Sequence, residues 1–168
     1  MSRDRDLAGR PRNARPRDAL GRPLDRGAAA AAAGQARIPD DLVITGADAA
    51  TLADQLLREG RPFHAHEVLE AAWKSGPPAE RDLWQGLAQI AVGLTHARRG
   101  NPRGAAALLR RGAERVRAGW DPPAGGSQPY GMDLPAVLAA SDDLAARIER
   151  HGLDGIPPAD LSPRLLRP

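Results

Sequence analysis

LWQGLAQIAVGLTHA, the stretch from Leu83 to Ala97, has no charged side chain, although the chain as a whole is 27% charged. Its length and spacing predict a helix of about four turns. A helix without a charged face cannot lie exposed on a protein surface, so we expect it to be central in the fold. The segment FHAHEVLEAAW, from Phe63 to Trp73, precedes it and predicts a neighbouring helix.

The central helix carries three polar side chains that share one face. At roughly 100° per residue, Gln85, Gln89 and His96 fall within about 40° of one another. Buried amide and imidazole groups cost on the order of 1–3 kcal/mol each when they lack hydrogen bonds, so this polar stripe requires partners. A hairpin with the preceding helix would supply them, and we expect the partners to be His66, Glu67 and Glu70.

Composition excludes several classes of protein. The net charge is +3, but residues 1–37 hold nine Arg against four Asp, which gives them +5 and leaves −2 for the rest. The folded part therefore lacks the basic surface of a nucleic-acid-binding domain. The absence of cysteine excludes disulfides, thiolate nucleophiles and cysteine-bound zinc. No apolar stretch predicts a secretory signal or a membrane span, so we expect a cytoplasmic protein.

Gly and Pro residues at helix ends and starts divide the chain into about five predicted helices. The first ends at Glu59 before Gly60, and the others span residues 62–74, 79–99, 102–118 and 134–151, with an irregular connection at 119–133. Residues 1–37 are predicted to be a disordered leader, 38–156 a single helical domain and 157–168 a Pro-rich tail. The predicted fold is all-α, a compact bundle with the character of an α-α superhelix.

An internal repeat supports the superhelical character. The pattern Gly-x-Pro-x-x-Ala-x-x-(Val/Leu)-Leu begins at Gly60 and again at Gly100, a shift of 40 residues. Each copy ends one helix and starts the next, as in arrays of helical repeats. Two copies are few for such an array, and Gly-x-Pro is also ordinary punctuation between helices.

Other residues have simpler interpretations. Glu70 and Lys74 are spaced for a surface ion pair. Gly86 and Gly93 predict the close approach of another helix, because glycine costs a helix about 1 kcal/mol and needs a packing reason. We expect His64 to face solvent and His151 to cap the C-terminal end of its helix. Trp73 and Trp84 are expected in the core.

The polar cluster allows three interpretations. It is a buried structural network, a pocket for a small ligand or a reaction, or a metal site. The metal is least favoured, because HEVLE has Glu70 where a zinc-binding HExxH motif has its second histidine. We expect neither a metal nor a cofactor. The candidate residues for the network or ligand site are His66, Glu67, Glu70, Trp73, Gln85, Gln89 and His96.

Three blocks of sequence resemble a known family. They are Phe63-x-x-His66-Glu67-x-x-Glu70-x-x-Trp73, then Gln85-Gly86-Leu87-x-Gln89-x-Ala91, then Gly100-Asn101-x-x-Gly104-Ala105. In this order they are similar to the domain of unknown function 309 family, over about residues 50–140. The resemblance implies a small helical bundle with superhelical character and a signature built on these His, Glu, Trp and Gln positions, and it leaves the activity open.

Two functional hypotheses follow. In the first, the protein is a helical module that binds a protein segment or a small ligand, and the polar network fixes the register of its helices. In the second, it is an enzyme in which Glu70 or Glu67 is the general base and His66 and His96 act as acid or ligand. We favour the first, because the sequence offers no nucleophile motif; whether the protein is an enzyme stays open.

Overall fold

The computed structural model describes residues 17–24, 38–121 and 128–168 of the 168-residue chain. The described residues form five α-helices: α1 (Gly46–Arg58), α2 (Pro62–Ser75), α3 (Arg81–Arg98), α4 (Pro102–Gly119) and α5 (Leu134–His151). Short 3-10 turns lie before α3 at Pro78–Glu80, before α5 at Pro129–Gly131 and after α5 at Pro158–Leu161. The prediction of an all-α fold is confirmed. The predicted ends of α2 to α5 lie within two residues of those observed.

Local chemistry explains where the helices begin. The hydroxyl of Thr45 accepts a hydrogen bond from the Asp48 amide at 3.1 Å and caps α1. Asn101 caps α4 in the same way, and Asp133 caps α5. Proline opens α2, α4 and α5, where its missing amide proton costs no hydrogen bond.

The two copies of the repeat adopt matching conformations. Gly60 and Gly100 have φ angles of 71° and 77°, the left-handed region in which glycine ends a helix without strain. In each copy a proline two residues later starts the next helix. Each helix packs against the next along the chain. This sequential packing is the predicted superhelical character.

The uncharged helix is central, as predicted, because α3 packs against both α2 and α4. Leu83, Leu87, Ile90 and Leu94 are all less than 5% exposed. Its polar face, however, is only partly covered: Gln85, Gln89 and His96 are half-buried. The polar stripe therefore borders solvent and is not sealed inside the bundle.

Glycines bring α3 and α4 into backbone contact. A Cβ atom placed on Gly86 would lie 2.7 Å from the amide nitrogen of Val116 and 2.8 Å from the carbonyl oxygen of Gly112. At Gly93 it would lie 3.0 Å from the Leu109 nitrogen. The expectation that Gly86 and Gly93 admit a neighbouring helix is confirmed.

The C-terminal residues pack against the helices. Leu165 is 2% exposed and belongs to the hydrophobic core. The amides of Leu165 and Leu166 donate to Oδ1 of the buried Asp54, at 2.7 and 3.1 Å. This contact ties the C-terminal segment to α1, and the predicted domain boundaries stay a prediction.

His64 is 5% exposed, so its assignment to solvent was wrong. On the wheel His64 lies away from His66, but it shares a face of α2 with the buried residues Val68 and Ala71, at i+4 and i+7. Residues of the N-terminal range 17–24 lie against the neighbouring Phe63. Gly21 packs on the Phe63 ring, and the guanidinium of Arg17 lies 5.5 Å from the ring centre. Residues 1–16 and 25–37 of the predicted leader lie outside the described residues.

Within the three described ranges, no helix is both long and apolar enough to cross a membrane.

Candidate functional site

A groove between α2 and α3 collects most of the predicted site residues. It holds about 490 Å³ of empty space, which includes open solvent at its mouth. The lining residues are His66, Glu70, Trp73, Gln85, Ala88, Gln89, Val92 and Arg115. Five of the seven predicted residues therefore meet at one place.

Helical spacing explains this convergence. His66, Glu70 and Trp73 lie at positions i, i+4 and i+7 of α2, and they share one side of that helix. Gln85 and Gln89 have the same spacing on α3. Because α2 and α3 are joined by only a short 3-10 turn, the two sets of side chains face one another across the groove.

One wall of the groove carries a row of polar contacts. Nε2 of His66 lies 3.6 Å from Oε2 of Glu70, and Oε1 of Glu70 lies 2.7 Å from Nζ of Lys74. The predicted pair of Glu70 with Lys74 is confirmed. Burial lowers the pKa of His66 and outweighs the neighbouring Glu70, which raises it. His66 is accordingly a neutral imidazole at neutral pH.

Gln85 has a partner that the sequence analysis did not predict. Its Oε1 accepts a hydrogen bond of 2.7 Å from the guanidinium of Arg115, on α4. Arg115 also approaches Asp82, with Nε 3.9 Å from Oδ1. The expectation that imidazole and carboxylate groups of α2 satisfy the amide of Gln85 was therefore wrong, because Arg115 reaches it across the close α3–α4 contact.

Gln89 differs from Gln85 in having an unsatisfied oxygen. Its Oε1 is buried, and no group of the described residues donates a hydrogen bond to it. Ala88 and Val92 flank it along the groove, so the acceptor sits between apolar surfaces. A buried acceptor without a donor costs on the order of 1–3 kcal/mol.

Two predicted residues lie outside the groove. His96 is seven residues beyond Gln89, and that spacing places it about 10 Å further along the helix axis although it shares the same face. Its Nδ1 lies 2.9 Å from Nδ2 of Asn101, at the start of α4. Glu67 is half-buried on α2 but does not line the groove.

Trp73 forms the aromatic part of the groove and is only partly buried. The cations of Lys74 and Arg81 each lie 5.8 Å from its ring centre. Trp84, in contrast, is 1% exposed and donates from Nε1 to Glu80 at 2.9 Å. The core assignment of Trp84 is confirmed, whereas Trp73 faces the groove.

Two important residues were missed. Arg115 belongs to the polar face of the amphipathic α4, and the glycines that predict a close α3–α4 contact were the available signal for it. Asp54 is 6% exposed, and its position four residues after Ala50 and three before Leu57 places it on the apolar face of α1. A carboxylate on such a face requires specific donors.

No group of three or more His, Asp or Glu residues in the described ranges has the arrangement of a metal site.

Comparison with known proteins supports the resemblance. The model of the family "domain of unknown function (DUF309)" matches residues 52–108. An uncharacterized Bacillus subtilis protein, YpuF, is 48% identical over 48 residues, a segment that covers 28% of this chain and 28% of YpuF. No solved structure matches the chain. The resemblance to the domain of unknown function 309 family is thus confirmed over residues 52–108, which include all the residues that line the α2–α3 groove except Arg115.

Proposed function

We propose that the protein is a helical binding module whose α2–α3 groove takes a small polar ligand. The unsatisfied Oε1 of Gln89 carries the proposal, because a ligand with an N–H or O–H group would supply the missing hydrogen bond. The part of this space that is comparable with known ligand pockets is about 230 Å³, which suits a small fragment rather than a drug-sized molecule. The cytoplasm remains the proposed location.

The other lining residues define the ligand further. Trp73 offers a flat apolar surface, and Ala88 and Val92 extend it. His66 is neutral at neutral pH, and Glu70 is already paired with Lys74. The guanidinium of Arg115 donates to Gln85 and lies 3.9 Å from the Asp82 carboxylate, so the charged groups of the lining already have partners. The groove therefore favours an uncharged molecule with an apolar ring or chain and one hydrogen-bond donor.

Fragment binding followed by NMR tests this proposal. The probes are primary amides and alcohols with an aromatic ring, for example benzamide and benzyl alcohol, and the readouts are the Trp73 indole and the Gln89 side-chain amide. We expect benzamide to shift both signals in the parent protein. In the Gln89→Leu variant the Trp73 indole is the remaining readout, and we expect benzamide no longer to shift it. The matched control is Gln55→Leu, which removes an exposed amide on α1 and should leave binding unchanged.

Two results would contradict the proposal. One is that neither probe shifts the groove signals at millimolar concentration, and the other is that Gln89→Leu binds as well as the parent protein. If a peptide segment instead of a fragment gave the Gln89-dependent shifts, the site would stand and the small-molecule class would be wrong.

A second candidate is an enzyme of the hydrolase type, and the neutral state of His66 favours it. A neutral imidazole 3.6 Å from a carboxylate can accept a proton as a general base. The test is hydrolysis of p-nitrophenyl acetate by the parent protein and by His66→Gln. A rate above that of free imidazole that disappears in the variant supports catalysis, and equal rates reject it.

A further inference from the structure

A second cleft lies away from the α2–α3 groove, and its charged side chains are mainly arginines. It is bounded by the C-terminal ends of α1 and α3 and by the segment that follows α5. It holds about 830 Å³ including open solvent, and its lining residues are Arg58, Glu59, Gly60, Arg98, Pro158, Ala159, Ser162 and Arg164.

The three arginines differ in how their charge is balanced. Nε of Arg58 pairs with Oδ2 of Asp54 at 2.9 Å, so this charge is compensated. The guanidinium of Arg98 donates to the Ser162 hydroxyl at 2.6 Å and to the Leu161 carbonyl at 3.3 Å, which are both neutral acceptors. Within the described ranges, no carboxylate pairs with Arg98 or with the exposed Arg164.

Arg98 differs from Arg164 in being partly buried, so its guanidinium is partly desolvated. Burial lowers its pKa, and no neighbouring carboxylate counteracts this effect. Its Nε–H is buried and has no acceptor within the described residues. A partly desolvated guanidinium that is held only by neutral acceptors gains from an anionic partner, since its charge is otherwise not balanced.

Glu59, the acidic residue in the cleft, is not the anionic partner of Arg98. Glu59 accepts a hydrogen bond from the Gln55 amide at 2.8 Å and lies 3.6 Å from the guanidinium of Arg61. Its carboxylate is thus engaged along α1 and at the start of α2. The cleft keeps an excess of positive charge at Arg98 and Arg164.

We infer that this cleft binds a phosphate group, held by the guanidinium groups of Arg98 and Arg164. Arginine suits this ligand, because its planar fork donates two parallel hydrogen bonds to a phosphate. The cleft is open to solvent on one side, so it leaves room for the rest of a phosphorylated molecule, and we propose a phosphorylated metabolite as the ligand. This inference is independent of the α2–α3 groove.

NMR titration of the full chain with inorganic phosphate tests the inference. We expect the Arg98 Nε–H signal and the Arg164 backbone amide to shift with millimolar affinity, and sodium chloride at matched ionic strength to leave them in place. Arg164→Gln should weaken phosphate binding roughly tenfold, because it removes a charge-assisted contact. Since Arg164 is exposed and makes no ion pair within the described residues, this variant should keep its fold.

The control is Arg111→Gln, which removes an exposed charge on α4 outside the cleft. Equal weakening by Arg111→Gln and Arg164→Gln would overturn the inference, since it would mean diffuse attraction of anions. So would identical shifts with chloride and phosphate. If glycerol 3-phosphate binds more tightly than inorganic phosphate, the source is a small phosphate ester; if only a phosphorylated peptide does, the metabolite class is wrong.

Discussion

Asp54 shows how a single residue can hold two distant parts of this chain together. Its Oδ1 accepts two backbone amides of the C-terminal segment, and its Oδ2 pairs with Arg58 on its own helix. The carboxylate is thereby satisfied although it is almost fully buried. Removing it would leave two N–H donors and a cation without their acceptor.

We therefore predict that Asp54→Ala destabilises the protein by about 2–4 kcal/mol. Urea unfolding measures this loss, and hydrogen exchange should show that the Leu165 and Leu166 amides lose their protection. Asp143→Ala is the control, because Asp143 forms only an exposed pair with Arg147 and should cost less than about 1 kcal/mol. Equal costs for the two variants would contradict this account of Asp54.

His64 gives a prediction about pH. Burial lowers its pKa, Arg61 lowers it further, and Asp18 partly offsets both. The unfolded chain therefore takes up this proton at a higher pH than the folded protein does. The contribution of His64 to stability is therefore fully present above its ordinary pKa of 6.5 and is lost as the pH drops below that value.

Thermal melts between about pH 7.5 and 5 test this prediction, together with His64→Phe, which should flatten the pH dependence. His66 contributes in the same direction, so some dependence should remain. His151→Gln removes an exposed imidazole and should reproduce the parent profile. A His64→Phe profile as steep as that of the parent would show that His64 does not titrate on unfolding.

At the scale of elements, α3 and α4 cross with their backbones in direct contact. Gly86→Ala should destabilise the protein by about 1–3 kcal/mol even though alanine favours a helix, because the new Cβ meets backbone atoms at 2.7 and 2.8 Å. Gly93→Ala, with its nearest contacts at 3.0 Å, should cost less. Guanidinium unfolding ranks the two, and a net gain at Gly86 would contradict the observed packing.

The sequence predicted helices well and side-chain partners less well, for a physical reason. Helix ends depend on local signals such as Gly60, Pro62 and Gly100, and these are visible in the chain. The partner of Gln85 depends on which helix approaches α3 most closely, and that is a long-range property. His96 illustrates the same limit, since angle alone placed it with Gln89 although the rise of the helix separates them.

His64 was assigned wrongly for a different reason. The assignment to solvent considered only its separation from His66 on the wheel, although the same wheel places it beside Val68 and Ala71. Both of these residues are buried, so His64 belongs to the buried face of α2, and the local pattern could have shown this. The α2–α3 groove was predictable because both of its walls come from consecutive helices.

At the scale of the whole molecule, the C-terminal segment completes the core. Leu165 joins the same hydrophobic cluster as residues of all five helices. Removal of residues 165–168 should lower the thermal midpoint, since it deletes a buried leucine, worth about 2–5 kcal/mol, and the donors to Asp54. Calorimetry measures the shift, with deletion of Arg167 and Pro168 alone, both exposed, as the control. An unchanged midpoint in the longer deletion would contradict this role.

The contact between Asp54 and the amide of Leu165 also sets the order of events during synthesis. The two residues are separated by 111 positions, so at about 5–20 residues per second the carboxylate emerges roughly 6–22 seconds before its donors. Throughout that interval the nascent first helix carries an acid that no backbone group has yet covered. The contact that completes this part of the core therefore forms only after residue 165 has left the ribosome.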